Sequence, residues 1–268
     1  MFSTTAQTII DRVEILLNDT GNARWSEDTL LSFLNIGQRD IATRVYGLNL
    51  KPAYKYTENV FLNAGSEQNL NDLTLTYSPI AILDVDRNMG VSWVDTTTYS
   101  VDDIVVDPDD MNVYKSLTAH TAAGTKPNAD STNWVATSED WGSNIESIHQ
   151  ANLDQLIGNW QSSNTANTDT DGTEVTYWTE DQDDYSKFHV YEQQPDSDYK
   201  QCVRLTYAAL PGEVALISNN ITLEDKYQDA LMYFIIAMAF SIDDEVDQNG
   251  NTNSMKWMQI YANSPIFA

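Results

Sequence analysis

The run from Leu231 to Phe240 carries no charged side chain, and it sits in a wider span, Leu223 to Ile242, whose apolar residues cover every side of a helix. Tyr227, Leu231, Phe234, Ile235 and Met238 leave no polar stripe, and a helix that is apolar all round belongs inside a protein. Ten residues is half of what a membrane-crossing helix needs, so the span predicts a central core helix. Other helices must then cover it. The chain offers two near its start. Thr5 to Asn18 places Ile9, Ile10, Val13, Leu16 and Leu17 at helical spacing behind Thr4 or Thr5 as N-cap, and stops at Asp19-Thr20-Gly21-Asn22. Ser26 to Tyr46 opens on an N-cap serine with Glu27 and Asp28 in the first turn, runs through Leu30, Leu31, Phe33, Leu34, Ile41 and Val45, and ends at Gly47. Trp25, just ahead of that cap, is expected to pack back on its own helix. A third helix, Asn253 to Ala262, brings Met255, Met258 and Tyr261, and the apolar tail after it reads as short and free.

Between these helices the period changes. Asn59-Val60-Phe61-Leu62 and Ile80 to Val85 are β-rich runs punctuated by Asn63-Ala64-Gly65 and Ser78-Pro79. From Val91 to Gly142 the composition shifts to Thr, Asp, Asn and Trp, with short pieces such as Asp103-Ile104-Val105-Val106 and Asn112-Val113-Tyr114-Lys115. Helical spacing returns at Ile145, Ile148, Leu153, Leu156, Ile157 and Trp160, followed by a polar loop from Ser162 to Gly172. Strands resume at Phe188 to Tyr191 and Cys202 to Tyr207. The fold class expected is α+β, with a helical core of the terminal helices packed on an antiparallel sheet and a small all-β insertion. The expected division is a discontinuous core of 1–91 and 144–268 with a β-rich module at 92–143.

Charge limits what such a chain can bind. The 268 residues hold 14 Lys plus Arg against 40 Asp plus Glu, a formal charge of −26. Aromatic residues make up 10%, far too many for a disordered acidic chain. Gripping nucleic acid through its phosphates needs clustered Lys and Arg, so a basic DNA-binding groove is excluded. The first residues have neither a basic nor an apolar stretch of the kind a secretory signal needs.

The search for chemistry yields no catalytic residue and no cofactor. Asp169-Thr170-Asp171-Gly172 looks like the start of a calcium loop, but with Gly172 at position six, Asn167 is first and Trp178 stands where a bidentate Glu is required. The same test on Gly250 puts Glu245 first and Lys256 last. Asp102, Asp103, Asp107, Asp109 and Asp110 read as a solvated acidic loop. His120, His149 and His189 have no second His or Cys at metal-ligand spacing, and Cys202 stands alone in a strand. No Gly-x-Ser-x-Gly, Gly-x-Gly-x-x-Gly or Lys-terminated phosphate loop occurs.

The order of strings carries a resemblance. Thr5-Ala6, Ile9-Ile10-Asp11-Arg12-Val13 and Leu17-Asn18-Asp19 are followed by Arg24-Trp25-Ser26-Glu27-Asp28, Leu30-Leu31, Leu34-Asn35, Gly37-Gln38-Arg39 and Ile41. This arrangement resembles the N-terminal helical pair of phage head-to-tail adaptor proteins, the connectors beneath the portal. The resemblance continues through Ile82 to Gly90, Phe188 to Tyr191 with Pro195, Tyr207-Ala208-Ala209-Leu210-Pro211 and Asp225-Lys226-Tyr227. It implies a structural virion protein, not an enzyme. Made in the host cytoplasm, such a protein sits at the head-tail junction as a ring of twelve copies between portal and tail nozzle or tail tube. Genomic DNA passes through without specific binding, and an acidic lumen would repel its phosphates. Trp93, Tyr99, Asp103-Ile104-Val105, Val113-Tyr114, Ser116 to Ala119, Pro127 and Trp134 resemble small β-modules of the chitin-binding type. Asp102 replaces the glycine expected there, and the tandem exposed tryptophans are absent, so the aromatics are expected to form the core of a small three-stranded unit that contacts fibre or capsid proteins. The alternative function is a carbohydrate-binding or fibre-associated module acting through that insert. The partner-binding residues expected are those of the tail, Pro265, Ile266, Phe267 and Ala268, since an apolar end gains by ordering on a partner.

Overall fold

The computed structural model describes residues 4–19, 21, 23–48, 50–137, 142–158, 160, 174–242 and 252–267. Among them the helices are α1 (Ala6–Leu17), α2 (Glu27–Gly47), α3 (Gln150–Leu156), α4 (Gln228–Ser241) and α5 (Asn253–Ala262). The strands are β1 (Lys55–Phe61), β2 (Gly65–Asn69), β3 (Pro79–Ser92), β4 (Thr98–Tyr99), β5 (Ile104–Val106) and β6 (Val113–Ser116). They continue with β7 (His120–Thr121), β8 (Trp134–Ala136), β9 (Glu146–Ser147), β10 (Tyr177–Glu180), β11 (Lys187–Gln194) and β12 (Gln201–Ala209). The chain divides into two compact units, one of Met1–Lys55 with Ala208–Ala268 and one of Tyr56–Tyr207. The class is α+β, as expected.

In the first unit α4 packs against α1, α2 and α5. Leu231, Ile235, Ile236, Ala237 and Ala239 are all fully buried, so its apolar circumference is covered on each side. The helix is shorter than its pattern. Glu224 is extended (ψ 152°) and Asp225–Tyr227 form a 3-10 turn, so the regular helix begins only at Gln228. α1 and α2 start where their caps place them. The Thr5 hydroxyl accepts from Thr8 N at 3.3 Å and the Ser26 hydroxyl from Thr29 N at 3.2 Å. Thr5 also bridges to Asn220, with Ala6 N donating to Asn219 O at 2.9 Å. α1 ends on Asn18 in the left-handed region (φ 53°), a position asparagine tolerates.

Trp25 reaches a second helix, α4. Its indole N–H donates to Ala239 O in α4 at 3.0 Å, and its ring meets Phe240 edge to face at 6.0 Å. The carboxylate of Asp19 orients it by accepting the N–H groups of Trp25 (3.0 Å), Arg24 (3.1 Å) and Ala23 (3.1 Å). These bonds, Trp25 first, hold the Asp19 carboxyl below its usual range. Gly37 lets α2 approach α4, because a Cβ there would lie 2.7 Å from Leu231 Cδ1 and 2.8 Å from Phe234 Cδ1.

The second unit holds a six-stranded sheet in the order β1-β12-β3-β5-β6-β8, a four-stranded sheet β2-β11-β10-β9 and the pair β4-β7. The sheets are mixed where an antiparallel one was expected. β3 pairs parallel with β5 (Val91↔Val105) and β9 parallel with β10 (Glu146↔Tyr177). The expected helix over 145–160 is limited to α3, because Glu146 and Ser147 pair in that ladder and Ile145 N donates to Asp86 O at 3.0 Å. Within 92–143 the β5, β6 and β8 strands pair side by side, and they extend the larger sheet through β3. A buried asparagine ties several segments of this unit together. Asn88 Oδ1 accepts from Val175 N (2.9 Å) and Gln201 Nε2 (3.1 Å), and its Nδ2 donates to Val175 O (2.8 Å) and Ser143 Oγ (2.9 Å).

Candidate functional site

The titratable groups singled out in the sequence serve the fold. Asp107 is fully buried and accepts from Asp109 N at 2.8 Å and Asn128 N at 2.9 Å. Asp102 pairs with Lys115 at 2.7 Å, Asp109 pairs with Lys126, Asp103 accepts from Ser100 N at 2.6 Å, and Asp110 accepts from the Tyr114 hydroxyl at 2.7 Å. Burial, and then the Asp110 bond, push the Tyr114 hydroxyl up to about 12. Asp102, Asp109 and Asp110 are exposed, as a solvated loop requires, while Asp107 departs from it by being buried. The histidines lie apart in role. His149 caps α3, accepting from Ala151 N at 3.3 Å; His120 meets Trp134 edge to face at 5.1 Å; buried His189 sits 3.4 Å from Asp181 and packs on Trp160. Cys202 is buried, and that burial raises its thiol. No group of three or more His, Cys, Asp or Glu among the described residues could hold a metal. Most of the calcium-loop-like segments at 167–178 and 245–256 lie outside the described residues.

The aromatic residues of 92–143 form a core. Trp93, Tyr99, Val105, Tyr114, Ala122 and Trp134 make one buried cluster, with Tyr99 and Trp134 edge to face at 5.0 Å. Trp134 is 2% exposed and offers no open face on which a sugar could stack.

The tail is seated, not free. Pro265–Phe267 form a 3-10 turn, with Phe267 edge to face on Tyr261 at 5.2 Å. The Arg44 guanidinium lies 5.0 Å from the Tyr261 ring and 5.1 Å from the Phe267 ring, and the Tyr261 hydroxyl donates to Asp40. Sequence alone missed this clasp, since its parts are more than two hundred residues apart. Pro265 is exposed and Ile266 half-buried; Ala268 lies outside the described residues.

Among the surfaces that the first unit leaves open, two are unlike each other, and both mix apolar with polar residues. One is a groove on α2, about 310 Å³, in which Leu31 and Ile36 lie among the polar Asp28, Asn35, Arg39 and Glu213. The Asn35 amide clamps Val214 through both N–H and C=O (2.9 and 3.1 Å), which fixes its outer wall. The other is the outer side of α5, with Met255 55% and Ile260 45% exposed. Charge is divided unequally. The second unit carries 26 acids against six bases, net −20, and the first carries 14 against eight, net −6. Residues 1–55 hold six of each and are neutral.

Capped helices with two unlike open surfaces, joined to an acidic β unit, are the features that a likeness to known families has to explain. Residues 4–135 match the SU10 adaptor protein family. No curated protein matches the chain. The match, over a little under half of the chain, supports a phage head-to-tail adaptor. The matched family is one of structural phage adaptors. The adaptor match covers α1, α2 and the strands from β1 into β8, and stops before the C-terminal strings that also carried the resemblance. Among the described residues no helix is long and apolar enough to cross a membrane.

Proposed function

We propose that the protein assembles head to tail into a closed ring of twelve copies between the portal and the tail nozzle or tail tube, and that genomic DNA slides through this ring without being gripped. The observation that carries the reading is the pair of unlike surfaces on the first unit, the α2 groove and the outer side of α5, because a head-to-tail ring needs two different complementary patches on each copy. The acid excess supports a conduit: phosphate and carboxylate repel within a Debye length of about 8 Å at physiological salt. The tail residues Pro265, Ile266, Phe267 and Ala268 contact the portal in this reading, with exposed Pro265 meeting the partner first. Residues 92–143 are an insertion into the 1–91 and 144–268 core, available for fibre or capsid contact. Purified protein mixed with its cognate portal and viewed by negative-stain microscopy tests the reading. Rings stacked on the portal are expected; failure to associate with the portal overturns it. Deleting residues 265–268 should weaken attachment, and unchanged attachment would remove the tail's assigned role.

A further inference from the structure

The second unit contains a cleft of about 610 Å³ that the ring reading does not use. Phe61 on β1, Leu73 and Leu75 on the loop before β3, and Met111 on the turn between β5 and β6 form its apolar walls. That volume is in the range of sites that enclose a small ligand or a few side chains.

Both lips are fixed before anything binds. In the turn, Asp107 N donates to Asn112 O at 3.0 Å and Met111 N to Asp107 O at 2.9 Å, while the buried Asp107 carboxylate accepts from Asp109 N and Asn128 N. Asn59 Nδ2 reaches across from β1 to Met111 O at 2.9 Å. These bonds hold Met111 at φ 57°, a left-handed backbone that a non-glycine residue adopts only when its surroundings impose it. On the opposite lip the Glu58 carboxylate accepts from Thr76 N (2.9 Å), Thr76 Oγ1 (2.6 Å) and the Tyr207 hydroxyl (2.6 Å). A cleft set in this way loses little conformational freedom on binding.

The chemistry of the lining selects the occupant. Asp72 and Asp198 are exposed carboxylates of the cleft, Lys200 is its one ammonium among the lining residues, and Asp109 is already engaged by Lys126. A sugar would want an open aromatic face, and the indole at this cleft, Trp93, is 8% exposed. Apolar walls beneath an acidic rim instead suit a Lys or Arg side chain, whose methylene stem lies on apolar surface while its charged head stays at the rim. We propose that this cleft docks a short peptide segment of a partner protein in which Lys or Arg alternates with aliphatic residues. The net −20 of the unit steers such a segment toward it. The inference goes beyond ring assembly and does not depend on it.

The test is fluorescence anisotropy of the full chain with the labelled peptide Gly-Leu-Arg-Ile-Lys-Leu-Gly at physiological salt. Saturable binding is expected, roughly three- to tenfold weaker in D72N/D198N, with no loss in the control D183N, since Asp183 is exposed and outside the cleft. Both rim residues are exposed, so the variants should fold. Equal binding by D72N/D198N would reduce the effect to general attraction between opposite charges and overturn the proposal, as would no binding at millimolar peptide. Displacement of the peptide by chitotriose, with saturable chitotriose binding of its own, would assign the cleft to a saccharide and overturn it too.

Discussion

Replacing Gly37 by alanine sets two opposed effects against each other, and the geometry decides between them. In an exposed helix interior the change would stabilise α2 by about 0.8–1.0 kcal/mol, through the lower conformational cost of alanine. Here the new methyl would lie 2.7 Å from Leu231 Cδ1 and 2.8 Å from Phe234 Cδ1, well inside contact distance. Leu231 is fully buried and Phe234 is 6% exposed, so neither can swing out to solvent. Overpacking of this kind costs about 1–3 kcal/mol, leaving a net loss of about 1 kcal/mol for Gly37→Ala. Gly37→Val adds two further methyls at the same point and should lose about 3 kcal/mol. With a urea dependence of about 1–3 kcal/mol per molar, the alanine variant should unfold about 0.5 M earlier than the parent and the valine variant earlier again. Circular dichroism at 222 nm follows this transition, since among the described residues four of the five helices lie in the first unit. A midpoint for Gly37→Ala above the parent's would refute the reasoning, for it would mean that helix propensity outweighs the α2–α4 contact.

Other outcomes follow from single groups. Asn88→Ala leaves the buried Val175 N–H without its acceptor and the Gln201 amide with Cys202 O alone, and should destabilise the second unit by about 1–3 kcal/mol, read from tryptophan emission during urea unfolding. Asp19 has a folded-state pKa below its ordinary value of 3.8, so its contribution is complete above about pH 4 and lost as pH falls through the lowered value. Melting followed at 222 nm between about pH 2 and pH 5 should fall steeply for the parent and more gently for Asp19→Asn. Cys202, buried with its thiol raised, should not react with a disulfide reagent in the native protein and should react stoichiometrically once urea unfolds it. Reaction at the native rate of a free thiol would show that the sheet opens at β12.

What the sequence made legible was local. Thr5 and Ser26 announce their helices because an N-cap acts on a backbone N–H three residues away, and the apolar circumference of α4 announces a buried helix by composition. What it hid was set by distant partners. Ile145 and Ile148 have the spacing of a helix, yet Glu146 and Ser147 are claimed by β10, a strand whose own pattern of Tyr177-Trp178-Thr179-Glu180 is too short to stand out. Trp25 reads as a staple on its own helix, and its indole bond to Ala239 in α4, 214 residues away, carries no local signal. The cleft escaped for the same reason: Phe61, Leu75 and Met111 belong to three separate segments, and Met111 carries no glycine-like signal of its left-handed backbone.

The first unit is assembled from both ends of the chain, with all of the second unit between them. On a ribosome, the apolar faces of α1 and α2 therefore emerge long before α4 exists to cover them. At about 5–20 residues per second the wait lasts roughly 9–36 s, time in which the intervening β unit can already fold. Ile9, Ile10, Leu30 and Leu34, each fully buried at the end, spend that interval without their native neighbour on α4. The order of synthesis thus makes α4 the closing step, and it makes nascent chains at high local density the point at which this protein is most exposed to mispairing.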